Sequence, residues 1–189
     1  MVNKFYKNIE MRQGLLAQLK SQSRLYTAGE MMEVALKGGN KIMACGNGGS
    51  ATQANHFVSE LVNKLYFERR GLPAVSLVSN PGNLTSIAND TDFKQVFARQ
   101  IEALGNSGDI LLALTTSGRS PNILEALRRA AEKSIKSICL CGQHTESLEK
   151  AGGDLLITVT SDDTPAIQEM HLFMLHTLAE WLETKADRQ

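Results

Sequence analysis

Hydrophobic and polar positions follow two rhythms along this chain, and the switching between them outlines the fold. Residues 4–38 read as two helices. Leu15, Leu16 and Leu19 mark the apolar side of the first. Met31, Met32, Val34, Ala35 and Leu36 mark that of the second, which Gly38-Gly39 stops. Five short apolar runs come next, at 41–45, 74–78, 109–114, 137–141 and 154–159, and each predicts a strand. Helical spacing returns between them, at 51–65, 83–88, 93–104, 120–133 and 145–151, and a long helix spans 165–183. Strands alternating with helices imply right-handed crossovers and a parallel sheet. The runs lack strict apolar–polar alternation, as burial on both faces requires. The predicted class is α/β: an open five-stranded parallel sheet flanked by helices, with extra N-terminal helices and a long buried C-terminal helix. In such sheets ligands sit outside the carboxyl ends of the strands. Attention therefore falls on the loops after Cys45, Val78, Leu114 and Cys141.

The last helix is apolar nearly all round, with Ile167, Met170, Leu172, Phe173, Met174, Leu175, Leu178 and Trp181. One open sheet does not cover such a helix on every side. With the two N-terminal helices it predicts packing between subunits. The chain reads as one domain, residues 1–189, with 1–38 for oligomer packing and 39–189 as the ligand-binding core.

Composition narrows the function classes. Lys plus Arg number 20 and Asp plus Glu number 20, for a net charge of zero. Binding nucleic acid or a membrane surface by charge alone would need a basic excess. The three cysteines, Cys45, Cys139 and Cys141, lie in apolar runs and read as buried thiols rather than a disulfide framework. No signal-peptide core or membrane-spanning run is visible, so the expected location is the cytoplasm. Arg69-Arg70 beside Glu68 reads as a solvated loop charge cluster.

Two loops carry candidate chemistry. After the first strand comes Gly46-Asn47-Gly48-Gly49-Ser50, with Ser50 placed to cap the next helix. It fits the dinucleotide fingerprint loosely at Gly46, Gly48 and Ala51. The acidic ribose ligand is missing, because the next strand ends in Val78-Ser79-Asn80. After the third strand comes Thr115-Thr116-Ser117-Gly118-Arg119-Ser120, then Pro121. Ser120 and Pro121 suit the N-cap and first helical positions. Capping uses one hydroxyl, which leaves Thr115, Thr116 and Ser117 at a strand's carboxyl end. Hydroxyls and backbone N–H groups at a helix N-terminus make a phosphate cradle.

His56 and Glu60 are one helical turn apart and share a face. Gln168 and His176 lie on the last helix, with His171 as the competing histidine. Two histidines with a carboxylate and an amide suit a metal site or an acid–base pair. Asn89-Asp90 is the remaining polar candidate, with a helix-ending turn as its plain alternative.

These motifs occur in one order: Cys-Gly-Asn-Gly-Gly-Ser at 45–50, His-Phe-x-x-Glu at 56–60, Ala-x-Asp at 88–90, Thr-Thr-Ser-Gly-Arg-Ser at 115–120 and Ile-Gln-Glu-x-His at 167–171. Together they resemble the sugar isomerase (SIS) fold, with its flavodoxin-like sheet, and within it the phosphoheptose isomerases. The resemblance implies isomerisation of sedoheptulose 7-phosphate to a glycero-manno-heptose 7-phosphate, the first step toward the ADP-heptose of lipopolysaccharide. It also implies a cytoplasmic homotetramer with active sites at subunit interfaces and a bound zinc ion, with no nucleotide cofactor. By position, Glu60 is similar to the family's general base and His176 to its acid partner. His56, Glu60, Gln168 and His176 are similar to the zinc ligands. Asn47, Gly48, Gly49, Glu60, Asn89, Asp90, Thr115, Thr116, Ser117, Ser120 and Gln168 are similar to substrate contacts. Ala166 and Lys64 stand where the family usually carries arginine. A second class shares the fold: non-catalytic SIS proteins that bind the bacterial replication initiator. They lack a glutamate at the position of Glu60, so its presence favours the enzyme.

Overall fold

The structure, a computed structural model, describes residues 2–20 and 23–186. Residues 21 and 22 of the predicted 4–38 span, and residues 1 and 187–189 of the predicted domain, lie outside the described residues. The element order is α1 (Val2–Leu19), α2 (Arg24–Lys37), β1 (Ile42–Gly46), α3 (Gly49–Val62), β2 (Ala74–Ser76), α4 (Pro81–Asp90), α5 (Ala98–Leu104), β3 (Ile110–Thr115), α6 (Pro121–Glu132), β4 (Lys136–Cys141), α7 (Glu146–Lys150), β5 (Leu155–Thr158) and α8 (Thr164–Lys185). The five strands form one parallel sheet in the order β2-β1-β3-β4-β5. That is the flavodoxin-like order, whose topological switch point lies between β1 and β3.

Both faces of the sheet are covered, so alternate residues of each strand enter different cores. Ile42, Ala44, Leu112, Leu114, Ile138, Leu140 and Ile157 pack with residues of α2, α3 and α8. Met43, Cys45, Leu111, Ala113, Cys139, Cys141 and Leu156 pack with residues of α5, α6 and α7. The three cysteines are free and buried, and burial pushes the Cys45 and Cys141 thiols up to about 12.

Three expectations need correction. The helix predicted at 93–104 is a 3-10 turn at Phe93–Gln95 followed by α5. Asp92 caps Lys94 N–H at that turn, and Val96 and Phe97 then bury their side chains. Strand β2 stops at Ser76 rather than 78, because Leu77 N–H still reaches Ala44 O while Ser79 N–H turns back to Ser76 O. Ser50 does not cap α3. The N-cap is Gly48, at φ +55, and Ser50 lies buried in the first turn. Helix α8 buries Met170, Met174, Leu175, Leu178 and Leu182 and leaves Phe173 49% exposed, as expected of a helix that one sheet does not cover on every side.

Helix α1 docks on α8 through an Arg12–Glu169 ion pair. It leaves Phe5, Tyr6, Ile9 and Leu16 exposed.

Candidate active site

Helices α3 and α8 both start at the carboxyl edge of the sheet, after β1 and β5, and therefore run in the same direction. Positions 49, 53, 56 and 60 recur at helical spacing on α3 and face α8. Gln53 Nε2 donates to the Gln168 carbonyl at 2.6 Å. Farther along, His56 Nε2 lies 2.9 Å from His176 Nε2 and 3.1 Å from Glu60 Oε1. His176 Nε2 lies 3.3 Å from the same oxygen. Glu60 is buried, whereas the His56 and His176 side chains are 46% and 43% exposed. The second carboxylate oxygen, Glu60 Oε2, is buried and has no hydrogen-bond partner among the described residues. A buried polar atom left unpaired costs about 1–3 kcal/mol.

This trio could hold a metal ion, since its three ligand atoms lie within 4.8 Å of one another. Ligands on a tetrahedral zinc, with bonds of ~2.05 Å, stand ~3.3 Å apart. The observed separations of 2.9, 3.1 and 3.3 Å come near that spacing. Three protein ligands with a solvent-open side are also the pattern of catalytic rather than structural metal sites. Gln168 lies elsewhere. A Cβ at Gly49 would meet its Nε2 at 2.6 Å, which places the amide at the start of α3. His171 stays out of the trio as well. It is fully buried against the Cys141 main chain, and burial pushes it down to about 4.

The second part of the site flanks the switch point. The glycine loop leads into α3 and the hydroxyl loop into α6, and neither helix has an acidic residue in its first turn. Their N-terminal partial positive charges therefore meet no carboxylate from their own first turns. Ser120 is the N-cap of α6, but its carbonyl, not its hydroxyl, takes Ile123 N–H and Leu124 N–H. Its hydroxyl makes no cap bond. Thr115 Oγ1 accepts from Gly118 N–H and Ser117 Oγ from Arg119 N–H, which folds the loop back on itself. Thr116 is half-buried and Ser117 exposed. Gly118 has φ +66, and a Cβ there would lie 2.0 Å from the His144 carbonyl oxygen, so no other residue fits.

Asn47 is tied to Asn122 by reciprocal amide bonds of 2.9 and 2.8 Å, which bridge the two loops. Asn89 and Asp90 are exposed at the end of α4 and bond each other at 2.8 Å. No bond joins them to the other candidates among the described residues. Lys64 pairs with Glu68, and Ala166 is fully buried with its N–H on Asp163 Oδ1.

Three polar participants escaped the sequence reading. Gln53 was signalled by its place on the Gly49–His56–Glu60 stripe. Asn122 lies just after the Ser-Pro pair, but its partner is remote in sequence. Arg69, expected in solvent, is buried and donates to the Glu60 and Leu61 carbonyls.

The SIS domain family model matches residues 5–142. A phosphoheptose isomerase of Helicobacter pylori (strain P12) is 42% identical over 173 residues, 91% of this chain and 90% of its own length. One from Colwellia psychrerythraea is 48% identical over 159 residues, 83% of this chain and 81% of its own. The solved phosphoheptose isomerase of Francisella tularensis superimposes with a TM-score of 0.93 at 34% identity, covering 97% of this chain and 98% of its own.

Proposed function

Because the chain belongs to the phosphoheptose isomerases of the SIS domain family, we propose that it interconverts sedoheptulose 7-phosphate and D-glycero-D-manno-heptose 7-phosphate. The observation that carries this reading is the convergence of His56, Glu60 and His176 around a buried carboxylate with one unpaired oxygen. The phosphate sits in the cradle of Gly48, Gly49, Thr115, Thr116, Ser117 and Ser120, with Asn47 holding the two loops together and Gln168 at the cradle's edge. Gly49 and His56 are seven residues apart on α3, ~10 Å by helical rise. A ligand held at both ends therefore keeps its anion remote from the reacting carbons, and binding energy at the phosphate is available for orientation.

At the other end, the Glu60 carboxylate removes a proton from C1 of the ketose, giving a cis-enediol, and returns it at C2. With no metal on its Nε2, His176 moves the matching proton between the two oxygens. Nothing is gained or lost overall. Gln168, whose amide lies at the start of α3, is left to the cradle, and we assign zinc to His56, Glu60 and His176. When bound, it supplies positive charge to the oxyanion that develops on the enediol. The half-exposed imidazoles and the exposed apolar residues of α1, with Phe173, support a homotetramer whose interfaces cover the sites. Asn89 and Asp90 then serve substrate from such an interface. The reaction is placed in the cytoplasm, as the first step toward ADP-heptose for lipopolysaccharide.

The test is isomerisation of sedoheptulose 7-phosphate by purified protein, metal-stripped and zinc-loaded, beside Glu60→Gln. Loss of a general base lowers kcat about 10²- to 10⁴-fold. Folded wild-type protein that turns over nothing in either metal state overturns the assignment.

A further inference from the structure

Helix α3 ends in an unusual way, and the ending involves Glu60 itself. The last-turn carbonyls of a helix have no partner within it. Here Ser59 O accepts from Asn63 N–H, but Glu60 O is taken by a guanidinium, which also reaches Leu61 O beside the Leu72 N–H. Arg69 Nη2 donates to Glu60 O at 2.7 Å, and Arg69 Nη1 to Leu61 O at 2.8 Å. Arg69 Nε stands 3.5 Å from Glu183 Oε1, and both side chains are 1% exposed. Glu183 also accepts from Leu65 N–H at 2.8 Å and Tyr66 N–H at 2.7 Å. An exposed helix end needs only water. A desolvated ion pair is an expensive way to finish one, and such a pair gives geometric definition more readily than stability.

Its place in the fold says what is being defined. Glu183 lies seven residues beyond His176 on α8 and so shares its face. A closed circuit results: Glu60 carbonyl to Arg69, Arg69 to Glu183, along α8 to His176, and from its Nε2 back to Glu60 Oε1 at 3.3 Å. We propose that Arg69 and Glu183 are the positioning pair of the active site, setting the Glu60 main chain against the helix that carries His176. The inference rests on Glu60 and His176 acting as the base and acid described above. Neither Arg69 nor Glu183 touches substrate. They act through the α3–α8 spacing, where a misplacement of about 1 Å costs on the order of 100-fold in rate.

The experiment compares full-length wild type with Arg69→Lys, Glu183→Gln and the double variant, all in the same metal state. Arg69→Lys keeps the charge but not the fork that spans two carbonyls. Glu183→Gln keeps an acceptor oxygen but not the charge. Both single variants are expected to lose about 10- to 100-fold in kcat per folded molecule, with KM within about threefold. The double variant falls no further than the worse single, as members of one unit do. In ¹H–¹⁵N spectra of the imidazoles, the His56 and His176 signals shift while those of His144 and His171 stay in place. Unchanged kcat per folded molecule with unmoved His56 and His176 signals overturns the proposal. If the wild type proves not to be an isomerase, the imidazole spectra alone decide: shifted signals sustain the positioning geometry, and unmoved ones reject it.

Discussion

Replacing His171 by leucine should make the protein more resistant to acid. The ring is completely buried on α8 and reaches the Cys141 main chain without a fully formed hydrogen bond. Burial pushes it from an ordinary 6.5 down to about 4. The folded protein therefore holds His171 neutral where the unfolded chain would protonate it. Between about pH 6.5 and 4 the unfolded state binds the extra proton, so stability falls as pH falls through that window. Linkage with these two values gives a loss of about 2 kcal/mol by pH 5 and about 3 kcal/mol once both states are protonated. Leucine has similar volume, favours helix and does not titrate. Asp154 and Glu183 also have lowered values, but from ordinary values of 3.8 and 4.5, so most of their effect falls below this window. The assay is urea unfolding at closely spaced pH between 7 and 4. Wild type should lose stability from pH 6.5 downward, and His171→Leu should stay nearly flat to about pH 5. Equal slopes in the two proteins between pH 6.5 and 5 would refute the assignment of this acid sensitivity to His171.

Ser120→Ala should separate capping from ligand binding. A hydroxyl cap is worth about 1 kcal/mol, but the Ser120 hydroxyl makes no cap bond, so the urea midpoint should hardly move while KM for the sugar phosphate rises tenfold or more. Gly49→Ala places a Cβ 2.6 Å from Gln168 Nε2, the end of a flexible side chain. The fold should survive, and steady-state kinetics should show weakened substrate use as the amide is displaced. Gly118→Ala meets main chain instead, 2.0 Å from the His144 carbonyl at φ +66. Urea unfolding should show a loss of more than ~2 kcal/mol.

Most of the architecture was legible because the three central strands, β1, β3 and β4, are buried on both faces and show as largely apolar runs. Boundaries failed where local hydrogen bonds decide them, as at Asp92 before the 3-10 turn and at Gly48, where the backbone rather than Ser50 opens α3. On α3 the stripe of Gly49, Gln53, His56 and Glu60 is present in the spacing, with Gln53 the one member that no motif marks. Arg69 and Glu183 could not be paired from sequence. Arg69 sits in a Glu-Arg-Arg run that reads as solvated charge, and Glu183 is the last acid of a helix end. Only the return of the chain from α3 against α8 buries both. The Asn47–Asn122 bridge was hidden for the same reason, since it depends on β1 and β3 being neighbours.

The unpaired oxygen of Glu60 distinguishes an enzyme from a sugar-phosphate-binding module built on the same sheet. A binding module needs the cradle at the switch point and nothing from the far half of α3. A carboxylate buried to 7% residue exposure with one oxygen unsatisfied makes the fold less stable than an apolar side chain would. Strain of this kind accumulates where chemistry requires it. In metal-stripped protein Glu60→Met should therefore be at least as stable as wild type, with a gain of about 1–3 kcal/mol if the whole penalty is relieved, while isomerisation is lost. Chemical denaturation of the two proteins side by side measures this. A loss of more than ~2 kcal/mol in Glu60→Met would mean that the carboxylate holds the fold together, and the case for Glu60 as a base would lose its energetic support.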